Sequence, residues 1–324
     1  MIVDFHTHFY PPSYLAAQRA GRGRVRVTTD ANGNPEIHYP GDYNVAVPGH
    51  RDILYRDRAL AEAGVDRQVM SFTTPGTHFE EPALAVELAG LVNDDFAGFA
   101  RQRGEKMTAL ATLPLNDPAA SVRELERAVK VLKLPGAMLF SNVNGTPLAD
   151  RRYWPLYEAA DALGCVLMIH PAHPLGVEAM TEYWLMPLVG FPFDTTLAVA
   201  HLVFAGVMHR YPRIRWVFGH LGGALPYIAE RLDRGFECFA ECRRDIPEKP
   251  STYLKRCWYD TVNFDPRAIR LAIDFAGVSQ IVAGSDYPHQ IGSHTKMKES
   301  IAALNLPPAD AARLLGGNAR GLVG

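Results

Sequence analysis

The chain alternates between short apolar runs and longer segments with helical spacing. Eight apolar runs stand out, at residues 2–8, 68–73, 107–113, 136–140, 165–170, 214–220, 258–262 and 280–286. Most are rich in Val, Ile, Phe or Leu without strict alternation, as strands buried on both faces require. Helix-length segments lie between them, at 52–63, 82–103, 119–132, 153–163, 195–211, 225–238 and 265–276. Asp117-Pro118 and Asp265-Pro266 each pair a capping acid with a proline, the signal of a helix start. Strand–helix alternation predicts a parallel sheet. Eight such units in a chain of this length predict an α/β fold of the closed (β/α)8 TIM-barrel kind. No Gly-x-Gly-x-x-Gly follows the first strand, so an open doubly wound sheet lacks its usual support.

One segment breaks the alternation. Residues 21–48 hold two polar strand patterns around Asn32-Gly33, which predicts a β-hairpin. Its position places it as an insertion after the first strand, over the mouth of the barrel. No repeat, low-complexity run or linker interrupts the pattern, so residues 1–324 are expected to form a single domain.

Composition changes this picture little. The 324 residues are 48% hydrophobic and 21% charged, an ordinary globular balance. With 33 basic against 35 acidic residues, nothing favours nucleic acid or an anionic membrane as partner. Asp4 and His6 stand where a signal peptide needs a basic and then an apolar stretch. No apolar stretch is expected to reach the ~18 residues of a membrane span; the longest, at 197–208, is interrupted by His201. The expectation is a cytoplasmic protein. Four cysteines are too few for a disulfide scaffold, and Cys238 and Cys242 lack the further ligands of a thiolate metal site.

The histidines carry the chemistry through their placement. His6 and His8 end the first predicted strand, where residues i and i+2 share a face. The fifth run ends in His170, the sixth in Gly219-His220 and the eighth in Ser285-Asp286-Tyr287-Pro288. In a barrel the C-terminal strand ends surround one mouth, so four histidines and one aspartate converge there. Such a set suits Zn²⁺ or another divalent transition ion. The fourth run ends Phe140-Ser141-Asn142, with no acid, lysine or cysteine to bridge a second ion, so one metal is expected.

These strand ends resemble the amidohydrolase superfamily. Tyr183-Trp184-Leu185 ahead of Leu188-Val189-Gly190, together with His220-Leu221-Gly222-Gly223-Ala224, resemble more narrowly the aminocarboxymuconate-semialdehyde decarboxylase branch, the amidohydrolase 2 family. That branch also holds resorcylate, carboxyvanillate and iso-orotate decarboxylases. The likeness extends through Gly317-Asn318-Ala319. It implies His6, His8, His170 and Asp286 as ligands of the metal, Zn²⁺ first and Mn²⁺ or Co²⁺ next. It implies His220 as an acid/base beside them, with Asp286 also moving a proton. It implies a homodimer, for which the apolar residues between Tyr183 and Phe193 are the expected contact; that stretch reads as a long loop.

Two departures from the branch bear on substrate. The Phe-Arg pair of the semialdehyde decarboxylase is replaced by Asp42-Tyr43-Asn44-Val45, and the arginine donated by a partner subunit aligns with Phe239. Both arms of that carboxylate clamp are absent. Arg51 and Arg231 are the replacement candidates, and His289, His173 and Trp184 complete the expected substrate contacts. The substrate expected is a small aromatic or enolic carboxylic acid. Two reactions use the same residues: non-oxidative decarboxylation, and hydrolysis or hydration by a metal-activated water. The branch-specific segments favour decarboxylation.

Overall fold

The computed structural model describes residues 1–40 and 42–324; residue 41, within the expected 21–48 insertion, lies outside the described residues. Eight parallel strands carry the fold: β1 (Val3–His8), β2 (Arg67–Ser71), β3 (Met107–Ala109), β4 (Gly136–Phe140), β5 (Val166–His170), β6 (Arg215–Phe218), β7 (Trp258–Asp260) and β8 (Ile281–Val282). They form a sheet β1-β2-β3 and a sheet β8-β7-β6-β5-β4. Every adjacent pair is parallel. Backbone bonds join the two sheets at both seams. At one, Phe5 N–H donates to the Ala283 carbonyl and His8 N–H to that of Tyr287, each at 2.8 Å. At the other, Ala111 N–H reaches the Gly136 carbonyl and Met138 N–H the Ala111 carbonyl, each at 2.9 Å.

Helices separate the strands and cover the sheets, so β1, β4 and β5 are buried at every residue. This is the physical reason their sequences run apolar without alternating. Asp52, Asp117 and Asp265 each cap a helix through a side-chain oxygen that accepts from a first-turn N–H. The last two are the Asp-Pro starts read from sequence. Helix Pro12–Arg19 follows β1 directly and had no counterpart in the periodicity.

The segment after it is an antiparallel sheet. Strand Arg26–Thr29 pairs with Pro35–Tyr39 around Asn32-Gly33. A third strand, Asp42–Val45, pairs with Pro35–Tyr39 from the other side. Its Asp-Tyr-Asn-Val is too short and polar to signal a strand by itself; pairing supplies what propensity does not.

The region before β6 differs most from expectation. The loop expected from Tyr183 is helical from Met186: a wide turn at Met186–Gly190 runs into helix Phe191–Phe204. Pro187, Gly190 and Pro192 mask this in the sequence, yet each proline stands at the start of its segment, where the helix tolerates it, and Gly190 joins the two. The continuous helix Met186–Phe204 has 19 residues and a mean hydropathy of 1.4, long and apolar enough to cross a membrane. No run of that length was expected. One face explains the composition, since Thr195, Ala198, Val199, Leu202 and Val203 are buried in the protein core. The helix stops at Gly206, whose φ of +77° and close approach to the Asp245 carbonyl admit no side chain, so the expected 195–211 helix is two helices.

Gly223 fixes how this helix meets the turn after β6. Its φ is +63°, and a β-carbon there would sit 2.0 Å from the Pro192 carbonyl oxygen. Gly223→Ala is therefore expected to cost about 2–4 kcal/mol, from left-handed strain plus overpacking. Thermal unfolding checks this; an unchanged midpoint would contradict the packing described.

Candidate metal centre

The C-terminal strand ends bring the predicted chemistry together. His6 and His8 share one face of β1, as i and i+2 must, and their Nε2 atoms are 3.0 Å apart. Asp286 Oδ1 lies 3.1 Å from His8 Nε2 and 3.4 Å from His6 Nε2. His170, at the end of β5, sets its ring centroid 5.1 Å from that of His6 and 4.7 Å from that of His8. His220 Nε2 is 3.7 Å from Asp286 Oδ2. His6, His170, His220 and Asp286 each offer a donor atom within 4.8 Å of the others, and His8, Asp286 and His289 form an overlapping group.

The far sides of the rings decide what these nitrogens are. His6 Nδ1 faces Asp260 Oδ2 at 2.5 Å, and a carboxylate there only accepts. His170 Nδ1 faces the Pro171 carbonyl at 2.9 Å, again an acceptor. Ser71 Oγ donates its proton to the Thr7 carbonyl and so accepts from His8 Nδ1 at 3.1 Å. All three rings therefore carry hydrogen on Nδ1 and turn an Nε2 lone pair toward the site. His170 Nε2 is buried with no hydrogen-bond partner. Lone pairs 3.0 Å apart repel, whereas two ligands about 2.1 Å from one ion stand about 3.0–3.4 Å apart. The donor set fits a divalent cation.

Burial shapes the charges. It drives the imidazoles of His8 and His170 well below their ordinary range, which keeps them neutral, as ligation requires. Burial also opposes a charged His6, but the adjacent Asp260 carboxylate outweighs it and raises that ring. For Asp286, burial favours the neutral acid, yet the surrounding imidazoles hold it well below the usual carboxylate range. The backbone is strained here too: His220, Leu221 and Asp286 have φ of 54°, 58° and 59°, conformations that side chains other than glycine rarely hold.

The expected substrate contacts divide. His289 is beside the centre, its ring 4.8 Å from that of His8 and its Nε2 3.1 Å from Thr73 Oγ1. His173 is part-buried in the loop after β5, where its carbonyl accepts from Asn142 Nδ2. Arg51 is turned elsewhere: its guanidinium donates to the Ala46 carbonyl at 2.9 Å and to Asn34 Oδ1 at 3.2 Å, bracing the antiparallel sheet. Trp184 is 64% exposed, outside the buried cluster, and Arg231 is exposed as well. For these three, sequence position near the mouth did not fix side-chain direction.

Sequence reasoning passed over several buried polar groups. Asp260 ends β7, and Asp4 stands two residues before His6 on the same face, accepting from Ser285 N–H at 3.0 Å. A carboxylate inside an apolar run was the available signal, since a buried charge needs partners. His50 is buried with neither ring nitrogen paired, its centroid 4.9 Å from that of His289. His78 packs against Phe140 and Phe79, each ring 5.0 Å away.

Residues 3–324 match the amidohydrolase family profile. The 2-amino-3-carboxymuconate-6-semialdehyde decarboxylase of Dictyostelium discoideum is 30% identical, over 99% of this chain and 91% of its own. The gamma-resorcylate decarboxylase of a Polaromonas species is 28% identical, over 82% of this chain and 86% of its own. In structure, the 5-carboxyvanillate decarboxylase of Sphingomonas paucimobilis aligns with a TM-score of 0.86 at 25% identity, covering 99% of this chain and 98% of that one. A dihydroxybenzoic acid decarboxylase from Polaromonas, with bound manganese and 2-nitroresorcinol, aligns at 0.83 and 24% identity, covering 99% and 96%.

Burial pushes the His78 imidazole down to about 4. The unfolded chain then takes up a proton near pH 6.5 that the folded chain refuses, so the contribution is complete above 6.5 and is lost as pH falls toward 4. The loss amounts to at most about 3 kcal/mol. In denaturant titrations His78→Phe should flatten this part of the stability profile; an unchanged slope would contradict a neutral, buried His78.

Proposed function

The chain belongs to the amidohydrolase family, and on that premise we propose that it is a metal-dependent, non-oxidative decarboxylase of a small aromatic or enolic carboxylic acid. The observation that carries the metal is the convergence of three Nε2 lone pairs and Asp286 in a buried site. The decarboxylase relatives carry the choice of reaction. His6, His8, His170 and Asp286 hold one ion, with Zn²⁺ the first choice from the donor set and Mn²⁺ or Co²⁺ the alternatives. When bound, the ion supplies Lewis acidity and a template for the carboxylate and a neighbouring substrate oxygen.

The remaining steps belong to the protein. The bond from carbon to the carboxylate breaks, its electron pair stays on the carbon, and CO₂ leaves. That carbon then takes one proton. His220 Nε2 stands 3.7 Å from Asp286 Oδ2, close enough for the two to share the proton that this carbon needs. His220 supplies it, directly or through Asp286. His289 and His173 bind the substrate beside the centre. Asp42, whose carboxyl burial raises, stands where the clamp arginine is missing. This composition favours a mono-acid over a substrate with two carboxylates.

The same reading gives the architecture. The two sheets close through their seams into an eight-stranded barrel, one domain, with the antiparallel insertion lying over the mouth. The exposed apolar residues Tyr183, Trp184, Leu188 and Phe193 form the contact of a homodimer.

Screening CO₂ release over hydroxybenzoates and muconate semialdehydes tests the reaction. Release from at least one acid is expected, and hydrolysis without any release would refute decarboxylation. The two acid/base residues separate by metal content after dialysis against a weak chelator. His220→Ala should keep its metal and lose about 10²–10⁴-fold in turnover. Asp286→Ala should lose both metal and turnover. Because His220 lies as close to the donor group as the named ligands, the opposite pattern, metal lost from His220→Ala and kept in Asp286→Ala, would reverse the two roles.

A further inference from the structure

Asp260 makes three contacts with its two carboxylate oxygens. Oδ2 accepts from His6 Nδ1 at 2.5 Å. Oδ1 accepts from the N–H of Leu221 at 3.0 Å and from that of Val262 at 2.9 Å. The residue is fully buried at the end of β7. Leu221 follows His220 directly, and both are in the left-handed conformation. One side chain thus holds a ring of the centre at one end and the strained turn bearing His220 at the other.

We propose that Asp260 is a positioning residue that sets the tautomer of His6 and ties its orientation to the His220–Leu221 turn. The argument is one of donors and acceptors. Three hydrogens converge on two atoms, and only a carboxylate accepts at both ends. With hydrogen fixed on Nδ1, the neutral His6 ring presents its lone pair on Nε2. The packing around the side chain is close: a β-carbon at Gly284 would lie 2.9 Å from His6 Cβ, and one at Gly219 3.2 Å from His6 Cε1. That Nε2 receives a cation rests on the metal reading above; the tautomer does not.

Asp260→Asn separates this role from plain structural support. The amide oxygen continues to accept from Leu221 and Val262. Turning the amide the other way would set its NH₂ against two backbone N–H groups, which is the costlier choice. The NH₂ therefore faces His6 and can only donate, so Nδ1 must accept and the ring hydrogen moves to Nε2. The backbone support survives while the lone pair facing the centre is lost.

Two measurements test this. The first is Zn²⁺ affinity by chelator competition on purified, folded protein. D260N is expected to bind about 10–100-fold more weakly than the wild type. Wild-type affinity in folded D260N would overturn the proposal, because support of the backbone alone would leave binding unchanged. The second is ¹H–¹⁵N NMR of histidine-labelled, metal-free wild type, with His6 assigned through His6→Gln. A strongly deshielded Nδ1–H on His6 is expected, and a His6 protonated on Nε2 alone would overturn the proposal. That reading does not depend on D260N and needs no metal to bind. A wild type that shows the Nδ1–H but takes up no Zn²⁺ would sustain the role of Asp260 and sink the metal reading.

Discussion

The centre is organised around a repulsion that the fold enforces whenever both rings are neutral. His6 and His8 turn lone-pair nitrogens toward each other at 3.0 Å, with a carboxylate oxygen within 3.4 Å of both. Neither ring can relieve this by changing tautomer, because the opposite nitrogens are committed to Asp260 and Ser71. Neither can move into solvent, because both side chains are fully buried. Rings in this arrangement are ready to receive a cation before one arrives. A ligand set that is already ordered loses little freedom on binding, which favours affinity and a fixed geometry.

The acids behind the histidines explain how so much polarity is buried in an apolar frame. Asp260 joins the end of β7 to β1 and to the turn after β6, while Asp4 joins β1 to Ser285 beside Asp286. Each carboxylate is fully surrounded by donors, so it avoids the large penalty of an unpaired buried charge. These links also cross between strands distant in sequence. The seam between β1 and the Ala283–Tyr287 stretch, which closes the two sheets on one side, is therefore held by side chains of the centre as well as by backbone. Positioning of the centre and closure of the sheet are the same interactions.

Much of this was legible in the sequence. The apolar runs located all eight parallel strands because burial on both faces leaves a continuous hydrophobic signature. The residues that meet at the centre were legible for a related reason: an apolar strand that ends in His or Asp has no packing cause to do so. The helix Met186–Phe204 was not legible, because two prolines and a glycine read as a loop when the prolines' place at a helix start is unknown. Arg51 turns into the antiparallel sheet and Trp184 lies exposed, because nearness along the chain says nothing of where a long side chain turns. Asp260 was not legible because the apolar run it belongs to continues to Val262, which hides it inside the run. Its partner, His6, lies 254 positions away in sequence, and no local pattern joins them.

The central claim is that one divalent ion sits among His6, His8, His170 and Asp286. Anomalous diffraction from crystals of the purified protein, recorded on either side of the absorption edge of the metal it carries, tests this most directly. The account predicts a single anomalous peak per chain within about 2.0–2.3 Å of the Nε2 atoms of the three histidines and a carboxylate oxygen of Asp286. Two peaks at this centre, or one peak bonded to His220 in place of Asp286, would contradict it.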